Sequence, residues 1–154
     1  PGCDEGWGLY AESLADELGL MPTPEDRFGR LAARRWRLAR VLVDLGVHSR
    51  LPVPDDVAAL PGASREWNRA TVTAVLRHHT VISEGRLRFE VSRHLGWPAQ
   101  PLAYAVGERV WQAGRRSAQA QARAEGGELD LRAFHNRGID LGSVGLDLLA
   151  SALH

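Results

Sequence analysis

Thr23-Pro24-Glu25-Asp26-Arg27-Phe28-Gly29-Arg30-Leu31 opens the longest helical pattern in this 154-residue chain. Thr23 suits an N-cap and Pro24 the first helical position. Glu25 and Asp26 fall where the positive helix end favours carboxylates. Phe28, Leu31, Leu38, Leu42 and Leu45 then recur as an apolar stripe, broadened by Trp36 and Val41. No proline interrupts the run before Val47, which predicts a helix of about 23 residues, ~35 Å long. Leu51-Pro52-Val53-Pro54 ends it.

Upstream, Trp7, Tyr10, Leu14 and Leu18 recur at helical spacing, predicting a helix from about Glu5 to Leu18 with Gly19 as its stop. Downstream, Pro54 starts a short helix through Leu60, and Pro61-Gly62 is a turn. Ser64 is the expected cap of a helix reaching His78. Thr80 to Arg86 reads ambiguously, since Thr80-Val81-Ile82 is β-branched. A helix from Leu87 to Leu95 stops at Gly96-Trp97-Pro98. Leu102 to Ala124 is a second long helix, with Leu102, Val106, Val110 and Trp111 expected inward. Asp130 caps a short helix and Ser143 a final one through Leu153. The expected fold is all-α: an irregular multi-helix array with two long helices. It reads as one helical domain, or the C-terminal half-domain of a larger metallopeptidase-like fold.

Charge is balanced, with 19 basic and 19 acidic residues, and every basic residue is arginine. That balance argues against nucleic acid or a membrane surface as partner. No segment approaches a membrane span, and no signal peptide is visible, so a cytoplasmic location is expected. The single cysteine, Cys3, cannot form an internal disulfide and reads as an unremarkable thiol. The chain begins without methionine and enters a helix pattern at once, which suggests a cut from something longer.

The residues by themselves build no complete reactive centre. The six histidines include no His-x-x-x-His pair, and adjacent His78 and His79 point about 100° apart on a helix. No Gly-x-Ser-x-Gly elbow exists, and a lysine-bearing phosphate loop is impossible without lysine. Arg27, Arg30, Arg34 and Arg37 share a helix face. They read as a solvated or ion-paired face in preference to a phosphate grip. Glu5 by position alone is a first-turn carboxylate stabilised by the helix dipole.

Glu5-Gly6-Trp7-Gly8-Leu9-Tyr10-Ala11-Glu12 resembles the Glu-Gly-Trp-Ala-Leu-Tyr-Ala-Glu signature of a bacterial family of gluzincin-like zinc-peptidase proteins, catalogued as a domain of unknown function. Further blocks resemble the family in the same order: Arg27 to Leu31, Arg37 to His48, Pro98 to Gly107, and Asp130 to His135. The family's upstream His-Glu-Ala-x-Pro-Gly-His-His motif is absent. Gly8 stands where the family has alanine, at a cost of about 1 kcal/mol in helix propensity. Ala99 stands where it has the glycine of Pro-Gly-Gln.

The resemblance implies that Glu5 is the third ligand of a zinc ion whose other ligands are the upstream histidines. Zinc is expected only with that upstream part, and none bound tightly to this chain alone. Tyr104 is the leading candidate for an oxyanion donor, with a core tyrosine as the other reading. His48 either binds substrate or stabilises the transition state, or is a helix-terminal histidine on the carbonyl dipole. Gln100, His135 and Arg40 are candidates for substrate binding, though His135 also reads as structural and Arg40 may simply pair with Asp44. Glu12 is a candidate for orienting a ligand. The implied function is hydrolysis of peptide or related amide bonds, silent without the histidine-bearing part. The alternative is a non-catalytic helical interaction module. The expected partners are a peptide-like substrate and either the upstream part or further copies of the chain.

Overall fold

A computed structural model describes residues 1–153. Eight helices follow one another: α1 (Gly2–Glu17), α2 (Pro24–His48), α3 (Asp55–Ala58), α4 (Arg69–His79), α5 (Glu84–Gly96), α6 (Leu102–Ala124), α7 (Leu131–Ile139) and α8 (Leu146–Leu153). No strand occurs among the described residues. None of the helices is long and apolar enough to cross a membrane. The chain forms two compact units. One holds residues 1–20 and the chain from Ala103 onward, and the other holds Met21–Leu102.

In the first unit, Trp111, Phe134, Leu149 and Leu153 are almost wholly buried, with Tyr10 and Cys3 beside them. The Cys3 thiol donates to the Gly142 carbonyl at 3.5 Å. The closest approach is between α1 and α6. A Cβ at Gly6 would overlap the Gly107 backbone, and one at Gly107 would overlap the Gly2 carbonyl. Backbones therefore touch here, which only glycine permits. The buried positions of α6 are Gly107, Glu108, Trp111 and Gly114, while Val106 is exposed. The expected inward placement of Trp111 holds and that of Val106 does not. Glycine, not valine, faces the neighbour, because close approach here demands the smallest residue.

In the second unit, α2 packs against α4 and α5 around Val43, Val72, Val75, Leu76, Leu87 and Val91. Thr23 caps α2 as expected. Its hydroxyl accepts from Asp26 N at 3.1 Å, while Asp26 Oδ2 accepts from Thr23 N at 3.2 Å, a reciprocal box contributing about 1 kcal/mol. The apolar stripe divides. Phe28, Leu31 and Leu38 are exposed, and burial falls on Ala39, Arg40, Val43, Asp44 and Gly46. The helix docks only through its C-terminal half.

Four helix starts differ from expectation, the first being α1, which begins at Gly2 and not near Glu5. Ser64 does not cap α4; Asn68 does, accepting from Thr71 N at 3.0 Å. Ser64 N instead donates to Thr71 Oγ1, and that hydroxyl donates to Glu66 O, folding residues 64–67 back along the helix start. This brings the Trp67 ring into the space a Cβ at Gly46 would take. Ser83 caps α5, which starts at Glu84 and not Leu87, so the ambiguous segment resolves into a short connector and a helix turn. Ser143 does not cap α8; its hydroxyl donates to Asp4 Oδ2 at 2.7 Å.

Gly6 and Gly8 lie in one helix but answer oppositely to alanine. Nothing stands within 4 Å of a Cβ at Gly8. Gly8→Ala is expected to stabilise the protein by about 1 kcal/mol through helix propensity. Gly6→Ala is expected to destabilise it by about 2 kcal/mol or more through overpacking. Urea melts of the two variants check both signs.

Candidate active-site constellations

The expected site residues fall into both units: Glu5, Glu12, Tyr104 and His135 into the first, and Arg40, His48 and Gln100 into the second. Each set forms its own local arrangement.

In the first unit Glu5 sits in the opening turn of α1, where its own N–H donates to Pro1 O at 2.9 Å. Its carboxylate is half-buried and carries no hydrogen bond or ion pair among the described residues. Glu5 neighbours Gly6, and Tyr104 stands one turn before Gly107, so both lie within a turn of the glycine crossing. Tyr104 is half-buried and holds a partner within the protein. Glu12 lies on the face of Glu5, two turns further along and about 10 Å away on the helix axis. That is too far for a hydrogen bond between them. Glu12 also has a partner within the protein.

His135 is half-buried, 2.8 Å from the Tyr10 hydroxyl, with its ring against Trp7, Tyr10 and Phe134. Burial, and then the Arg115 cation, hold its pKa below the ordinary histidine value. Burial pushes the Tyr10 phenol up, against the pull of Arg115. Arg115 grips Glu17 through two hydrogen bonds of 3.2 and 2.7 Å.

In the second unit Arg40, Gln100 and His48 meet in one polar network centred on two residues that the sequence reading overlooked, Glu90 and His94. Arg40, Asp44, Glu90 and His94 are all buried. Arg40 donates through Nε to His94 Nε2 at 3.0 Å and through Nη2 to Gln100 Oε1 at 2.9 Å. Arg93 donates to the same Gln100 oxygen at 3.0 Å. Glu90 accepts from Arg86 at 3.0 Å and lies within 4 Å of Arg40 and Arg93. His48 Nε2 is 2.8 Å from the His94 carbonyl and 3.9 Å from Asp44. Both Asp44 oxygens accept from Ala99 N, at 3.0 and 3.1 Å. The overlooked signal was the spacing of Arg86, Glu90 and His94, four apart on one face of α5. A charged face ordinarily meets solvent, whereas Glu90 and His94 turn inward beside Leu87 and Val91, with Arg86 exposed.

His94 Nε2 also lies 3.2 Å from Glu90 Oε2. One nitrogen cannot accept from Arg40 and donate to Glu90 at once. Burial, with the Arg40 cation second, lowers the His94 pKa to about 4 despite Glu90. The ring is therefore neutral near pH 7, Nε2 accepts, and the proton sits on Nδ1. Ala99 has φ +67°, a left-handed conformation that suits glycine. The turn aims the N–H of this residue at Asp44.

Among the described residues no three His, Cys, Asp or Glu side chains converge as a metal-binding group. Arg27, Arg30, Arg34 and Arg37 each have a partner within the protein.

Two units of helices, one bearing a buried arginine–carboxylate–histidine network, define an all-helical protein class. The model of the bacterial protein family of unknown function DUF885 matches residues 2–153, and the chain belongs to that family. No curated protein matches the chain.

Two outcomes follow from the network. Between pH 6.5 and about 4 the unfolded His94 takes a proton that the folded one refuses. Its contribution is thus fully present above pH 6.5 and lost as pH falls toward 4, by up to ~3 kcal/mol. His94→Gln keeps an acceptor for Arg40 without titrating, so its denaturation free energy should fall less between pH 7 and 4. Ala99→Gly should raise the melting temperature, gaining about 1 kcal/mol from relieved left-handed strain.

Proposed function

We propose that the chain is the C-terminal part of a zinc-dependent, metallopeptidase-like hydrolase of peptide or related amide bonds. Glu5 carries this reading. It is a half-buried carboxylate without a partner among the described residues, mounted beside a backbone contact that fixes its helix. A single oxygen donor so placed fits one ligand position of a zinc site, and the histidines of an upstream motif would supply the others. Bound zinc would act as a Lewis acid and lower the pKa of a coordinated water.

The chain's own groups would then bind and position. The Tyr104 phenol, neutral at pH 7, is suited to hydrogen-bond a developing oxyanion. Gln100 would meet the substrate through its amide N–H, since its oxygen is held by Arg40 and Arg93. Arg40, buried behind it, would fix that amide and not touch substrate itself. His48, held by the His94 carbonyl, would bind substrate or stabilise the transition state, and His135, held by Tyr10, would bind substrate. Glu12 would orient a ligand other than Glu5.

The other reading is a non-catalytic helical interaction module, favoured by the exposed apolar positions Phe28, Leu31 and Leu38 of α2. Elemental analysis of the protein bearing the upstream histidine motif separates the two. The hydrolase reading expects one zinc per chain and peptidase activity. It also expects Glu5→Gln to weaken zinc binding by at least about 100-fold. Absence of stoichiometric zinc, or unchanged affinity in Glu5→Gln, would sink it.

A further inference from the structure

The exposed half of α2 has an order of its own. Phe28, Leu31, Arg35, Leu38, Leu42 and Leu45 are spaced alternately three and four apart, the a and d positions of successive heptads. Such a seam ordinarily faces another helix. Here Phe28 is 73 % exposed, Leu31 55 % and Leu38 49 %. Two cavities of about 610 and 390 Å³ run along it and share Leu31, Arg35 and His79. Val81, wholly exposed, lines the far wall of the larger one. The seam from Phe28 to Leu42 covers about 21 Å of helix.

Charge selects the occupant. From Arg27 to Val43 stand six arginines and no carboxylate. Arg40 is buried in the Glu90–His94 network and Arg27, Arg30, Arg34 and Arg37 have partners within the protein, which leaves Arg35 as the seam's own cation. The second unit as a whole holds thirteen arginines against eight acidic residues. Arg35 occupies an a position, and its Nε donates to His79 Nδ1 at 3.1 Å. That bond leaves the ring uncharged and no carboxylate on the guanidinium. Burial and Arg35 both hold the His79 pKa below its usual value. A second α2 would not suit this seam. In parallel it sets Arg35 against Arg35, and in either orientation it offers no carboxylate from Arg27 to Val43 to meet Arg35.

We propose that this seam is a docking surface for an amphipathic helix of another chain segment, apolar along its own heptad positions and carrying carboxylates beside them. The incoming helix fills the groove between α2 and residues 80–82, and one carboxylate meets Arg35. A buried ion at one a position fixes the partner's register and rejects basic helices.

The test uses the 154-residue chain and two synthetic peptides of about three heptads, with leucine at seam positions and either glutamate or lysine beside them. Calorimetry is expected to find one-to-one binding of the glutamate peptide, weakening as salt rises, and none of the lysine peptide. Leu31→Asp and Arg35→Glu should each weaken the glutamate peptide by at least about tenfold. Arg35→Glu should gain affinity for the lysine peptide. Both side chains are exposed, so unchanged thermal melts separate loss of the seam from loss of the fold. Equal binding of both peptides, or of neither, overturns the proposal. So does sedimentation as a dimer that Leu31→Asp dissolves, which would make a second copy the occupant.

Discussion

The contact of backbone with backbone at Gly6 and Gly107 is the constraint on which the first unit depends. It brings α1 and α6 together where any Cβ would collide, and it sets the helix bearing Glu5 against the helix bearing Tyr104. The aromatic packing of Trp7, Tyr10 and Trp111 follows from the same approach, since their rings lie 4.8 to 5.8 Å apart. A carboxylate on such a ledge is held by main chain and not by a flexible loop, which favours pre-organised binding.

The second unit solves a harder problem. It buries Arg40, Asp44, Glu90 and His94, and each such group costs several kcal/mol to desolvate unless paired. Pairing is close but incomplete: Glu90 Oε2 and His94 Nδ1 have no hydrogen-bond partner among the described residues. Burying charge this way contributes little net stability, and its usual return is geometric specificity. Here the network fixes Gln100 from two guanidiniums, and it ties α2, α5 and the Ala99 turn together through Asp44 and His48. Burial, with the Arg40 cation second, keeps His94 uncharged, and its acceptor nitrogen takes the Arg40 Nε–H.

Much of this was legible in the chain. Thr23-Pro24-Glu25-Asp26 announced its helix, as did Asp130, because caps are local hydrogen bonds that need no distant partner. Gly19 and the proline clusters marked ends for the same reason. Ser64 and Ser143 misled because a serine hydroxyl can serve a helix start or a distant partner equally well, and here it serves Thr71 and Asp4. Val106 misled because hydrophobicity does not register the space a glycine leaves. Arg40, Gln100 and His48 were suggested by family likeness, but Glu90 and His94 were not. Nothing along α5 distinguishes a charged face that meets water from one that meets Arg40.

The sequence by itself determined an all-helical chain, the extent of its two long helices, and a glutamate in the first turn of a helix. These follow from period, caps and breakers, all written within a few residues. Only the tertiary structure decided which face of α2 is buried, that Ala99 must adopt a left-handed turn to reach Asp44, and that three arginines converge on Glu90, two of them also holding Gln100. Those depend on contacts between residues tens of positions apart, where desolvation and close packing, not local propensity, set the outcome.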